Sequence, residues 1–71
     1  MSPRMEQVES SSVVAVGYDA AANELWIEFE GGTTYAYSLV PPSVHRELLR
    51  SGSIGRYVNS TVKPRYAARE V

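Results

Sequence analysis

The sequence predicts an α+β domain in which a three-stranded antiparallel β-meander is followed by two short helices packed on one face of the sheet. Residues 24–30 alternate between apolar and acidic side chains, as in a strand with one buried face. The glycines at 31–32 then indicate a tight turn into another strand, and the prolines at 41–42 end that strand and open a helical pattern. At 71 residues the chain forms one domain near the lower size limit for a self-supporting core.

The strands are expected within residues 10–39, after a flexible polar segment at residues 1–9. The β-rich run Val13–Val16 marks a first strand within residues 10–18, so we assign residues 10–71 to the single folded domain. A loop at 19–23 leads into the alternating second strand, and the third strand is expected from Thr33 to Leu39.

The hairpin register determines where the aromatic side chains lie. A two-residue turn at Gly31-Gly32 would pair Trp26 with Tyr37 and collect the aromatic residues opposite the apolar face of the second strand. A three-residue loop at 30–32 shifts the pairing by one residue and leaves Trp26 outside, among glutamates. We favour the second register because it gathers one apolar face from Leu25, Ile27, Phe29, Tyr35, Tyr37 and Leu39.

Two helices are expected after the prolines. Pro42 suits the first turn of a helix that runs to about Arg50, and Gly52 ends that helix. A shorter helix is expected from Ser53, with Pro64 excluding regular helix in the tail. The apolar anchors of this part of the chain are Val44, Leu48, Leu49, Ile54, Tyr57, Val58, Val62 and Tyr66.

Charge is divided between the two halves of the chain. Residues 1–35 hold one base and six acids, whereas residues 36–71 hold six bases and two acids, so the net charge of −1 conceals a dipolar molecule. The chain has no cysteine, which is typical of a reducing compartment, and it has no apolar run long enough to span a membrane. Its start also lacks the apolar stretch of a signal peptide, so we expect a cytoplasmic protein.

The chain has few of the residues that usually form catalytic or metal sites, with one histidine and no cysteine. His45 is the only histidine, and a surface position is favoured over a catalytic role because no nucleophile motif accompanies it. Glu24, Glu28 and Glu30 share a strand face that would attract a divalent cation, but a solvated face is the favoured interpretation. We therefore expect a non-enzymatic protein without metal or cofactor.

Two basic segments are candidate binding sites. The first joins the two helices, where Arg50 and Ser53 flank backbone N–H groups in the manner of an anion site; ordinary helix caps are the alternative. The second lies between residues 56 and 69, where bases would contact phosphates and tyrosine rings would stack on nucleobases. The alternative interpretation of this segment is an ordinary charged surface. This second set, the basic tract, consists of Arg56, Tyr57, Lys63, Arg65, Tyr66 and Arg69.

The chain resembles the KTSC domain family, which includes small bacterial proteins and the C-terminal extension of some lysyl-tRNA synthetases. The resemblance covers about residues 8–71 and rests on short motifs in a fixed order: Ser11-Ser12, Val16–Asp19, the apolar residues Leu25, Ile27 and Phe29, Tyr35-Ala36-Tyr37, Val40-Pro41, Gly55–Asn59 and Val62–Tyr66. It implies RNA binding through the synthetase context and supplies no active site. Ser38 and Ala68 stand where family members often have aromatic residues.

The sequence thus predicts a small RNA-binding module that uses the basic tract. The alternative is a protein-interaction or self-association module that uses the acidic strand face and Trp26.

Overall fold

The computed structural model describes residues 2–71 as one five-stranded antiparallel sheet with the strands in sequence order, covered on one face by helices. Two α-helices and a π-helical turn connect the fourth strand to the fifth. The elements are β1 (Met5–Gln7), β2 (Val13–Asp19), β3 (Glu24–Phe29), β4 (Thr34–Tyr37), α1 (Pro42–Arg50), α2 (Ile54–Tyr57), the π-helical turn (Val58–Val62) and β5 (Ala68–Glu70). None of the helices found in residues 2–71 has the length and apolar character to cross a membrane.

The α+β class is confirmed, but the prediction of three strands is wrong. The two additional strands, β1 and β5, pair with β2 and β4 and form the opposite edges of the sheet. β1 lies within the N-terminal segment that we expected to be flexible, and β5 follows the helices. Each has three mostly polar residues, so neither carries a periodicity that a sequence reading detects.

The β3–β4 hairpin adopts the register that we favoured. Leu25 lies opposite Tyr37 and Ile27 opposite Tyr35, so these side chains share the face that the helices cover. Gly31 and Gly32 have φ angles of 99° and 95°, which favour glycine. The expected place of Leu39 on the apolar face is wrong: β4 ends at Tyr37, and Leu39 has a φ of 57° and is 79% exposed.

A bulge in β2 adds a second valine to the core. Val13 lies opposite Phe29, but the next pair is Ala15 with Glu28, so Val14 has no partner in β3. The extra residue brings Val13 and Val16 onto the same face. Both are buried against the helices' side of the sheet.

The helices begin and end close to the predicted residues. Pro42 opens α1, which buries Val44 and Leu48 but leaves Leu49 38% exposed. Ser53 caps α2 by accepting a hydrogen bond from the backbone N–H of Arg56. The core between sheet and helices consists of Val13, Val16, Leu25, Ile27, Tyr37, Val40, Val44, Leu48, Ile54, Val58 and Val62.

The π-helical turn continues α2 with a wider winding. The backbone N–H of Lys63 donates to the carbonyl of Val58 at 2.9 Å, five residues back along the chain. Val58 and Val62 are both buried by this arrangement. Lys63 then leaves the turn at its outer end and is exposed.

Candidate nucleic-acid interface

The side chains of residues 42–66, the helical layer, carry most of the positive charge. Five bases in this layer are exposed and only one acid accompanies them. These residues are Arg46, Arg50, Arg56, Lys63 and Arg65, with the acid Glu47. Among residues 2–71 the one ion pair joins Arg69 to Glu24, both of which belong to strands. The bases of the helical layer therefore have no carboxylate partner in the described chain.

An open cleft of about 510 Å³ lies between the end of α1 and the start of α2. Its walls combine hydroxyl groups with one guanidinium and one phenol, and the lining residues are Ser51, Gly52, Ser53, Arg56, Tyr57 and Ser60. Hydroxyl and guanidinium groups are hydrogen-bond donors suited to phosphate oxygens and ribose hydroxyls. The cleft is thus a polar depression within the basic layer.

The hydrogen bonds of the cleft show which groups are available to a ligand. Ser51 Oγ donates to the carbonyl of Leu48 at 2.8 Å, whereas Ser53 Oγ accepts from the N–H of Arg56 at 3.3 Å. The hydroxyl hydrogen of Ser53 therefore has no hydrogen-bond acceptor among residues 2–71, and the side chain of Arg56, which also lines the cleft, is exposed.

The phenol of Tyr57 is held in its neutral form on one wall of the cleft. Its hydroxyl donates to Glu47 Oε1 at 3.0 Å. Burial raises the pKa of Tyr57, and the hydrogen bond to Glu47 raises that pKa further. The ring packs against the core, so it contributes one edge of the cleft and is not a free stacking surface.

Only one of the two residues of the predicted anion site lines the cleft. Ser53 lines the cleft, whereas Arg50 lies exposed in the last turn of α1, just before the wall begins at Ser51. Ser53 also acts as the helix cap that the alternative interpretation required. The capping role leaves the hydroxyl hydrogen of Ser53 free to donate, because the cap uses the oxygen as an acceptor.

The basic tract does not form a single surface. Arg56 and Tyr57 reach the cleft, Arg65 is exposed, and Tyr66 packs partly buried against the core. Arg69 lies on β5 opposite Ala36, which in turn lies opposite Trp26. Because side chains alternate along strands, this row faces away from the helices.

We call this face, with Glu24, Trp26, Glu28, Ala36 and Arg69, the outer face of the sheet. Trp26 Nε1 donates to Glu24 Oε1 at 3.1 Å, and Arg69 Nη1 donates to Glu24 Oε2 at 3.2 Å. The Arg69 guanidinium also lies 6.0 Å from the centre of the Trp26 ring. Trp26 is partly buried here, with its polar atom and its ring face both occupied.

His45 is packed against a tyrosine. Its ring stacks on that of Tyr18 with centroids 5.2 Å apart and planes inclined by 10°. Burial lowers the pKa of His45, Arg46 lowers it further, and Glu6 acts in the opposite direction. Nowhere in residues 2–71 do three or more histidine, aspartate or glutamate side chains gather in a way that would hold a metal ion.

Two residues of this region escaped sequence reasoning. Ser60 joins the cleft because the π-helical turn carries it there, and Phe29 lies beneath the Lys63 ammonium at 5.1 Å from the ring centre. Lys63 and Phe29 are distant in sequence, so only the packing of the turn on the sheet reveals their contact. The sequence did show that Phe29 belongs to the apolar face.

Comparisons with known proteins agree with this fold. A 64-residue region is 52% identical to a protein of Tsukamurella paurometabola, covering 90% of this chain and 96% of the relative. An uncharacterised protein of Stutzerimonas stutzeri is 41% identical over 83% of each chain. A lysine–tRNA ligase of Nostoc punctiforme is 34% identical over 82% of this chain, which corresponds to only 10% of the ligase.

A solved structure shows the same architecture over nearly all of the described chain. The crystal structure of a KTSC domain protein from Yersinia pestis has a TM-score of 0.92 at 31% identity and covers 99% of both chains. The family model for the KTSC domain matches residues 9–66. Sequence, fold and family model together show that this chain belongs to the KTSC domain family.

Proposed function

We propose that this chain is a non-enzymatic RNA-binding module and that the helical layer is its binding surface. The observation that carries the proposal is the segregation of charge between the layers. The five bases of the helical layer are exposed and have no carboxylate partner within residues 2–71, whereas the bulk of the acids lies on the sheet and its loops. A surface of this kind attracts a phosphate backbone although the whole chain carries a net charge of −1.

The separation of charge also orients the ligand. The acidic sheet layer repels phosphates, so a nucleic acid approaches from the helical side. Each base that contacts a phosphate releases condensed counterions, which makes the affinity fall with rising salt. Binding through the helical layer is therefore expected to be strong at low salt and to weaken steeply.

The cleft supplies directed contacts within this general attraction. Arg56 offers a guanidinium to a phosphate, and the hydroxyls of Ser53 and Ser60 suit phosphate or ribose oxygens. Arg50 and Arg65 extend the positive surface beyond the cleft. Arg69 is left out of this surface because it lies on the outer face with Glu24.

One relative supports the choice of RNA. The Nostoc punctiforme protein is a lysine–tRNA ligase, so one homologue of this domain is part of an enzyme that acts on an RNA substrate. A positive surface suits RNA and DNA alike, and this relationship favours RNA.

Fluorescence anisotropy with labelled short RNA tests the proposal. We expect Arg56→Glu to weaken binding at low salt by roughly tenfold and to reduce the slope of log affinity against log salt by about 0.7 for each lost contact. Arg4→Glu is the matched control, because it changes the net charge equally at an exposed residue before β1. Circular dichroism of both variants verifies the fold.

An equal effect of the two substitutions would mean that only overall charge matters and would contradict a defined surface. Absence of binding by the native protein at low salt would exclude RNA as the ligand. The alternative of a protein-interaction or self-association module on the acidic outer face would then predict that Trp26→Ala abolishes dimerisation or partner capture.

A further inference from the structure

An aromatic pair lies outside the cleft, on the face of the sheet that the helices cover. Phe29 ends β3 and Tyr35 lies in β4, and their rings meet edge to face with centroids 6.1 Å apart. Both rings pack against the core while remaining partly exposed. Their packing fixes their orientation, so a ligand that stacks on them loses little protein entropy.

The Phe29 ring is partly exposed, and a cation lies over one of its faces. The ammonium of Lys63 lies over this ring at 5.1 Å from its centre, and Lys63 is an exposed residue. A cation that reaches a ring in this way occupies its face and is attracted by the ring quadrupole. The contact is exchangeable, because the lysine side chain is flexible and keeps access to water.

This ring adjoins the proposed binding surface. Lys63 follows the π-helical turn directly, and Ser60 of that turn lines the cleft. The π-helical turn thus connects the cleft, through Lys63, to the Phe29 ring.

We infer that Phe29, supported by Tyr35, is a stacking site for an unpaired nucleobase, and that the ligand of the helical layer is single-stranded RNA. The base takes the ring face that Lys63 covers, and the ammonium moves to the adjoining phosphate. A duplex cannot make this contact because its bases are paired and stacked on each other. The inference rests on the proposed RNA-binding function and adds the class of RNA and the residue that selects it.

The native protein permits a direct test, because Phe29 is the only phenylalanine in the chain. Isotope labelling of phenylalanine alone gives ring signals from one residue in the NMR spectrum. We expect these signals to shift on addition of an oligouridylate of about eight nucleotides. A duplex RNA of the same length should shift the amides of the helical layer but move these ring signals far less, because only a stacked base adds its own ring current to the displacement of Lys63.

A pair of variants supplies the affinity measurement. Phe29→Leu keeps an apolar side chain but removes the aromatic face, and we expect it to weaken oligouridylate binding roughly tenfold with little effect on the duplex. Trp26→Leu is the matched control, because it removes an aromatic ring from the outer face. It should leave both affinities unchanged.

The outcomes separate this inference from the function on which it rests. Binding of both RNAs without any shift of the Phe29 ring signals, or equal weakening of both by Phe29→Leu, would overturn the stacking site and leave RNA binding intact. Failure of the native protein to bind either RNA would overturn both. If Phe29→Leu does not fold, the ring signals of the native protein still decide the question.

Discussion

The outer face of the sheet and the helical layer use their charges in opposite ways. On the outer face, Glu24 accepts hydrogen bonds from both Trp26 and Arg69, so these three side chains satisfy one another. In the helical layer the bases project from the surface with no carboxylate partner in the described chain. The first region uses charges within the fold, and the second leaves them exposed, where the proposed RNA would bind.

The comparison shows that bases close together in the sequence can lie on opposite faces of the molecule. Arg65 and Arg69 are four residues apart in one basic tract, yet one is free in the helical layer and the other is paired on the opposite face. The return of the chain into β5 causes the difference, because a strand sends its side chains to alternate faces.

The largest expected effect tests whether the two layers form one cooperative unit. Leu48 is fully buried between α1 and the sheet, so Leu48→Ala should lower the free energy of unfolding by roughly 2–5 kcal/mol. Urea denaturation followed by circular dichroism and by fluorescence of Trp26, the only tryptophan, measures both layers. Leu49→Ala, at a residue 38% exposed, is the control and should cost much less.

Different midpoints for the two probes in the Leu48→Ala variant would contradict a single cooperative unit. The helical layer would then unfold separately from the sheet.

A smaller effect is expected where the N-terminal segment covers the outer face. A Cβ placed on Gly17 would lie 2.8 Å from the backbone oxygen of Arg4 and 2.7 Å from the sulfur of Met5. The backbone must shift to admit it, so Gly17→Ala should cost about 1–3 kcal/mol of unfolding free energy and loosen β1. Urea denaturation together with amide exchange at residues 5–7 measures both consequences.

Gly52→Ala is the matched control for this substitution, because a Cβ there would have no neighbour within 4 Å. Its effect should stay within about 0.5 kcal/mol. An equal loss of unfolding free energy in the two variants would show that β1 can move away from Gly17 without a measurable loss of stability.

The ion pair of the outer face should contribute little to stability and nothing to RNA binding. The Arg69 side chain is 54% exposed and that of Glu24 is 18% exposed. A double-mutant cycle of Arg69→Met and Glu24→Gln should give a coupling energy of about 0.2–1 kcal/mol that diminishes with salt. Loss of RNA affinity in Arg69→Met at low salt would instead place Arg69 in the binding surface.

The smallest effect concerns pH. Because burial lowers the pKa of His45 from its usual 6.5, the unfolded chain takes up the proton at a higher pH than the folded chain. The stability from neutral His45 is fully present above pH 6.5 and declines as the pH falls towards the lowered value. Urea midpoints across this range should decline less in His45→Phe, which keeps a ring against Tyr18 but does not titrate.

The central hairpin and the start of α1 were predictable because local signals agree there. Leu25 and Ile27 alternate with glutamates, the two glycines demand a turn, and Pro42 suits a helix start. The requirement for one apolar face then selected the register that brings Tyr35 and Tyr37 to the core.

The edge strands and the division of the basic tract were not predictable in the same way. β1 and β5 have three residues each and form only because β2 and β4 offer free edges. The position of Arg69 beside Glu24, a residue 45 positions earlier in the sequence, follows from the pairing of β5 with β4. Leu39 looked like a strand residue from its apolar character, but the chain turns there into a left-handed conformation.

The π-helical turn determines the direction, around the helix axis, in which the side chains after it point. Each residue of an α-helix advances the chain by about 100° around the axis, and each residue of the wider π turn advances it by less, so winding Val58–Val62 as an ordinary α-helix with the same residues would rotate the later side chains about the axis. Lys63 would then point away from Phe29, and β5 would approach the sheet out of alignment. The wider winding of this one turn therefore determines whether the Lys63 ammonium lies over the Phe29 ring.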